Sequence, residues 1–164
     1  YIDVRHFEAD LLERVLRANL IAPSYCIEAA LPLLRRGERP LLVGVGSSVT
    51  WLPLPRAGAY GAAKAGLRYL LESLRLDLAA ERIGVALVSP GFVDTPMTRR
   101  NEFPMPLRWP AEKAARYIAD RLEHRPLHIQ FPAPFIAGLR LLSLLPARLQ
   151  YALGQRMART DHHG

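Results

Sequence analysis

Apolar positions in this chain gather into two short unbroken runs with helically spaced stretches around them. Leu41-Leu42-Val43-Gly44-Val45-Gly46 is the first run and Ile83-Gly84-Val85-Ala86-Leu87-Val88-Ser89 the second. Runs this short, bounded by Gly and Pro, read as buried strands, at about 41–46 and 83–89. The stretch between them, about 58–80, reads as a helix. Strand, helix, strand in that order makes a βαβ unit, whose parallel strands bring both carboxyl ends to one edge of the sheet. Open α/β sheets bind ligands at that edge. Upstream, a long helix runs from about Glu8 to Leu34, with bends expected at Pro23 and Pro32, where missing N–H groups interrupt the ladder. Downstream, 92–109 is irregular and rich in Pro and Arg. Pro110 then opens a helix to about Glu123, and the alternation of Leu127-His128-Ile129-Gln130-Phe131 reads as a last strand. The expected class is α/β with a parallel sheet.

Composition narrows the setting. The chain has 164 residues, 50% hydrophobic and 23% charged, close to the globular norm and enough for a single core. The single cysteine, Cys26, cannot form an internal disulfide, which fits a cytoplasmic setting, and its apolar helix predicts a small buried residue. The net charge of +7 raises the question of nucleic acid. The arginines are spread along the chain without interleaved aromatics, so no nucleic-acid partner is expected. His162-His163 are too few for a metal site, and none is expected.

The carboxyl-terminal stretch is dense in apolar residues, with Phe135, Ile136, Leu139, Leu141, Leu142, Leu144, Leu145, Leu149 and Leu153 broken by Pro146 and edged by Arg140, Arg148, Arg156 and Arg159. It is too short and too often interrupted to span a membrane. It suits either a subunit or intramolecular contact, or an amphipathic helix pair in peripheral contact with a membrane.

Candidate chemistry lies between the two strands. Tyr60 and Lys64 are four residues apart on the helix, hence on one face, and Ser47 precedes Tyr60 by thirteen. A phenol has a reference pKa of about 10, and a nearby cation favours its ionised form. A phenol tuned in this way exchanges protons with an alcohol or carbonyl oxygen. Ser48 is an alternative hydroxyl to Ser47, and Asn19 in the long helix is either functional or satisfied locally. Thr95 suits a helix cap, and Pro90-Gly91 a bend after the strand.

Asn19 in Arg17-Ala18-Asn19-Leu20, Ser47, the Tyr60/Lys64 pair and Ser89-Pro90-Gly91-Phe92-Val93-Asp94-Thr95-Pro96 occur in one order, and with them the chain resembles the short-chain dehydrogenase/reductase family over about residues 5–132. The resemblance implies a Rossmann-like doubly wound parallel sheet and an NAD- or NADP-dependent oxidoreductase acting on an alcohol or ketone. It implies Tyr60 as general acid/base and Lys64 as the residue that binds the nicotinamide ribose and lowers the Tyr60 pKa. Ser47 would hydrogen-bond the substrate oxygen, and Asn19 would continue the proton relay. Pro90 and Gly91 would pack on the nicotinamide, with Val93 and Thr95 holding its carboxamide. A homo-oligomer is the expected assembly.

The Gly-rich turn that cradles a dinucleotide diphosphate at a helix N-terminus is not found here. Gly44-x-Gly46 ends a strand, but no third glycine follows at the required spacing. The expectation is an amino-terminally truncated chain holding only the later half of the sheet, with roughly 80–100 residues preceding it. Residues 1–132 would form the carboxyl-terminal part of the Rossmann-like domain and 133–164 a helical extension. Such a fragment is expected to bind cofactor poorly, and its later strands to expose an apolar edge. Phe103, Met105, Leu107 and Trp109 would suit an apolar substrate or simply fix their loop to the sheet. The competing reading is a non-catalytic interaction or membrane-peripheral protein that keeps part of the fold.

Overall fold

The computed structural model describes residues 4–101 and 103–160, with side chains to Arg156; the His162-His163 pair lies outside the described residues. Three strands, β1 (Leu41–Val45), β2 (Gly84–Pro90) and β5 (His128–Phe131), form a parallel sheet in the order β1-β2-β5. The register sets Val45 opposite Val88 and Pro90 opposite Phe131, so all three carboxyl ends share one edge. Parallel strands covered on both faces read as continuous apolar runs. The central strand β2 behaves that way, with every residue from Val85 to Ser89 buried.

Period-two alternation divides these side chains between two cores. Val85 and Leu87 face the helices α2 (Ala22–Leu34) and α3 (Gly58–Asp77), joining Ile27, Leu67, Leu71, Leu78 and Ile83, while α1 (Ala9–Leu16) packs on α3. Val88 faces the other way and packs with Ile129, Phe131 and Ala114 of α4 (Ala111–Glu123). Each fully buried aliphatic side chain here contributes about 1.5–3 kcal/mol. At the outer strand the alternation is also plain, because Val43 and Val45 on the face away from α3 remain exposed. Arg75 of α3 fastens the strands from below, donating to the Val85 carbonyl at 3.0 Å and the Leu127 carbonyl at 2.7 Å.

The structure departs from the sequence expectations in four places. The long amino-terminal helix is broken at Arg17–Ile21 by a π-helical turn, in which the Ala22 N–H reaches the Arg17 carbonyl. Pro23 follows that turn directly and withholds the i+4 donor from the Asn19 carbonyl, whereas Pro32 lies inside α2 without ending it. Cys26 is exposed, because the buried stripe of α2 runs through Ile27 and its neighbour faces outward.

The stretch 92–109 is more ordered than its composition implied. It holds a short parallel pair, β3 (Val93–Asp94) with β4 (Trp109–Pro110), and a 3-10 turn at Thr98–Arg100. Asp94 pins this loop by accepting from Arg99 at 3.0 Å, with the Arg108 guanidinium 3.8 Å away. Trp109 stacks on Phe131 at 4.9 Å between ring centres, so it anchors the loop to the sheet. The carboxyl-terminal series folds as two helices, α5 (Ala133–Ser143) and α6 (Ala147–Thr160).

The close approach of α3 to β1 requires a residue without a side chain at position 44. A Cβ on Gly44 would lie 2.1 Å from Cδ1 of Leu71, which is 1% exposed and has no room to turn away. Gly44→Ala is therefore expected to cost about 1–3 kcal/mol through overpacking. Urea unfolding should show a lower midpoint at unchanged slope; an unchanged midpoint contradicts this packing.

Candidate active site

Ser47 lies just past the end of β1, where the backbone is extended before a 3-10 turn at Ser48–Thr50. Its Oγ accepts from the Val49 N–H at 3.3 Å and thereby caps that turn. The Ser47 hydroxyl also lies beside the Tyr60 phenol, whose pKa it lowers. Ser48, the alternative hydroxyl, is buried inside the turn. The contact with Tyr60 belongs to Ser47.

Tyr60 stands in the first turn of α3 and Lys64 one turn further along. The Lys64 Nζ donates to the Val45 carbonyl at 3.0 Å and lies 5.8 Å from the Tyr60 ring centre. Val45 is on the strand edge that faces away from β2, so its carbonyl serves the lysine. Strand β1, through one carbonyl and one hydroxyl two residues later, thus holds both members of the pair.

Electrostatics at this site follow burial first. Desolvation raises the Tyr60 pKa above the ordinary tyrosine value, and the Ser47 hydrogen bond opposes that shift without overcoming it. Half-buried Lys64 is lowered from the ordinary lysine value for the same reason, because desolvation penalises its charged form. The spacing of the pair led to the expectation of a phenol acidified by the ammonium; here burial is the larger influence, and Ser47 rather than Lys64 is the acidifying neighbour.

The second strand delivers the other side of the edge. Pro90 closes β2, and the Gly91 N–H continues toward β5 by donating to the Phe131 carbonyl at 2.7 Å. A Cβ on Gly91 would meet Phe135 at 2.9 Å and Pro132 at 3.1 Å, so glycine here serves close packing and not a special turn conformation. Val93 lies in β3, and its carbonyl accepts from the Thr98 hydroxyl at 2.6 Å. Thr95 Oγ1 accepts from the Thr98 N–H at 3.2 Å, which is the capping role.

Asn19 stands apart from this group. Its amide donates to the Val15 carbonyl of its own helix at 3.1 Å, the local satisfaction weighed from the sequence. It nevertheless sits in the π-helical turn, which packs on α3. Turns of that kind open carbonyls from the ladder and recur at functional sites.

Two contacts at this edge had no signal in the sequence. Trp51, four residues after Ser47, is held between the guanidinium groups of Arg68 at 4.2 Å and Arg140 at 4.4 Å. The loop carrying Ser47 is thereby tied to α3 and α5 together. Phe92, next to Gly91, packs against Phe135 of α5 at 5.4 Å and against Phe103 at 6.0 Å. The carboxyl-terminal helix forms a wall of the site.

The family model for short chain dehydrogenase matches residues 3–104. An uncharacterized oxidoreductase of Myxococcus xanthus is 30% identical over 143 residues, which is 87% of this chain and 56% of that relative. The 11-beta-hydroxysteroid dehydrogenase 1A of Arabidopsis thaliana is 34% identical over 89 residues, 54% of this chain and 25% of the plant protein. Among solved structures, a short chain dehydrogenase of Burkholderia cenocepacia in complex with NADP superposes with TM-score 0.76 at 22% identity, covering 94% of this chain and 62% of that one. The Pseudomonas aeruginosa RhlG/NADP active-site complex gives TM-score 0.69 at 26% identity, covering 82% of this chain and 61% of that one. The chain therefore spans a quarter to three fifths of the length of these proteins.

Removing the Ser47 hydroxyl should raise the Tyr60 pKa further, since that bond opposes the effect of burial. Tyrosine ring-carbon NMR titration of the parent and of Ser47→Ala tests this. A Tyr60 midpoint below that of ordinary tyrosine, or one that falls in the variant, contradicts the described balance.

Proposed function

This chain belongs to the short chain dehydrogenase family, and on that premise we propose that it carries the catalytic half of an oxidoreductase that interconverts an alcohol and a ketone. The observation that carries the reading is the anchoring of Lys64 on the Val45 carbonyl one helical turn from Tyr60, with the Ser47 hydroxyl beside the phenol.

The residues present fit the reactive end of a nicotinamide dinucleotide, NAD or NADP. Lys64 offers two further N–H donors beside its bond to Val45, enough for ribose hydroxyls. Pro90 and Gly91 lie at the same edge and are assigned to pack on the ring, with Val93 and Thr95, both bonded to Thr98, assigned to its carboxamide. When bound, the nicotinamide supplies or accepts the hydride.

The chain's own residues manage the substrate oxygen. Ser47 holds it by a hydrogen bond, and Tyr60 gives the proton as charge develops there, or takes it in the reverse direction. The phenol, its pKa raised by burial, holds its proton at neutral pH and can give it to an alkoxide-like oxygen. A cation bound near the phenol stabilises the phenolate that remains. Asn19, at the π-helical turn against α3, is assigned to the proton relay behind Lys64.

Residues 1–132 are assigned to the sheet domain and 133–164 to its helical extension. Strand β1 lies at one end of the order β1-β2-β5, and its outer edge accepts the strands of a dinucleotide-binding half. The substrate is an alcohol or ketone with apolar flanks, facing Phe103, Met105 and Leu107, and the assembly is a homo-oligomer in the cytoplasm.

The 164-residue chain alone should show no saturable binding of NADH or NADPH at micromolar concentrations, by fluorescence titration. In the polypeptide encoded by the complete gene, a ketone should be reduced with loss of reduced-nicotinamide absorbance. Lys64→Met should lower its kcat/KM by about 100-fold or more and raise KM for the cofactor. Micromolar binding by the isolated chain removes the half-site reading, and unchanged kcat/KM in Lys64→Met removes the catalytic one.

A further inference from the structure

Helices α5 and α6 present a surface that the chemistry of the site does not use. They meet at Pro146, where the Gln150 side-chain amide closes the bend by donating to the carbonyls of Ser143 at 3.0 Å and Leu145 at 2.8 Å. The inward side of α5 is apolar as expected, with Ile136 buried and Phe135 against Phe92. Its outward side is apolar as well. Pro134, Ala137, Leu141 and Leu144 follow one another along the exposed stripe, with Leu141 67% and Leu144 82% exposed. In α6, Leu149 and Tyr151 are also more than half exposed. A surface helix normally turns polar residues to water, and an uninterrupted apolar outer stripe marks a contact face.

Charge decides what kind of partner covers it. From Ala133 to Thr160 the sequence holds four arginines, at 140, 148, 156 and 159, and no Asp or Glu. In a two-fold contact between copies, each patch meets itself, so these cations would face one another with no acid between them. Spanning a bilayer is excluded on length for α5, whose 11 residues reach about 16 Å against a hydrocarbon core of about 30 Å. Among the described residues no helix is long and apolar enough to cross a membrane. Exposed leucines beside arginines and a tyrosine match the headgroup region of a bilayer, where apolar side chains enter the acyl boundary and guanidinium groups stay with phosphates.

We propose that the α5–α6 hairpin docks on the surface of an anionic lipid bilayer, lying in the interface with Leu141, Leu144 and Leu149 inserted and Arg148 and Arg156 at the headgroups. The site of Ser47 and Tyr60 then opens close to the membrane, because α5 walls it through Phe135 and holds the Ser47 loop through Arg140 and Trp51.

Flotation of the 164-residue chain with vesicles tests this without any measurement of turnover, so its failure leaves the oxidoreductase reading untouched. Vesicles of phosphatidylcholine with about a third phosphatidylglycerol should carry the chain, and phosphatidylcholine alone should carry at least about tenfold less. High salt should weaken the bound fraction. Leu141→Glu with Leu144→Glu, and separately Arg148→Glu with Arg156→Glu, should each reduce flotation by about tenfold or more. All four side chains are exposed, so circular dichroism and the urea midpoint should match the parent. Equal flotation with both vesicle types, or flotation unaffected by either pair, overturns the proposal. So does a chain that ignores vesicles but dimerises in sedimentation equilibrium and becomes monomeric with the leucine pair replaced.

Discussion

The packing of α3 on the sheet, across β2 and with Leu71 seated on Gly44 of β1, is the constraint on which the rest of the structure depends. Glycine at position 44 lets Leu71 sit against the strand, while the broader packing of α3 on β2 sets the height and rotation of the helix. Once the helix is fixed there, its first two turns overhang the carboxyl end of β1. Tyr60 then meets Ser47, and Lys64 meets the Val45 carbonyl. The pairing of a phenol with a serine thirteen residues earlier is a consequence of core packing, since neither residue has a local reason to face the other. Parallel pairing adds the remaining side by bringing Pro90 and Gly91 to the same edge.

Burial has two opposed effects at this edge. It holds the Tyr60 phenol protonated, and it weakens the hold of Lys64 on its own proton. A group whose proton is difficult to remove in isolation becomes a useful acid only when its anion is stabilised at the moment of transfer. Ser47 provides part of that stabilisation in the chain itself. The same economy of contacts links the site to the carboxyl-terminal helices. Trp51 between two guanidinium groups and Phe92 against Phe135 make the position of α5 a determinant of how the Ser47 loop and the Gly91 floor are held.

Much of this architecture was legible in the residue pattern. The two apolar runs became β1 and β2 within a residue of their expected ends, because a continuous run bounded by Gly and Pro has few other solutions. The expected last strand at 127–131 formed, and the helix opened by Pro110 ends at Glu123 as its pattern indicated. The choice between Ser47 and Ser48 needed the structure, since both hydroxyls lie in the same turn and only the capping geometry separates them. The π-helical turn at Arg17–Ile21 had a signal just downstream in Pro23, which withholds the i+4 donor from the Asn19 carbonyl, but that signal marks an interruption and not its form. The exposure of Cys26 and the ordering of 92–109 were missed for another reason. Both depend on which neighbour arrives from elsewhere in the chain, and Trp109 found Phe131 across 22 residues of sequence.

In the proposed reaction, proton transfer at this edge runs through the Tyr60 phenol. In the polypeptide encoded by the complete gene, Tyr60→Phe keeps the ring and its packing and removes only the hydroxyl. The prediction is a fall in kcat of about 100- to 10,000-fold at unchanged folding stability. Turnover within a factor of about two of the parent would contradict it, because a proton path that survives loss of the phenol does not run through Tyr60.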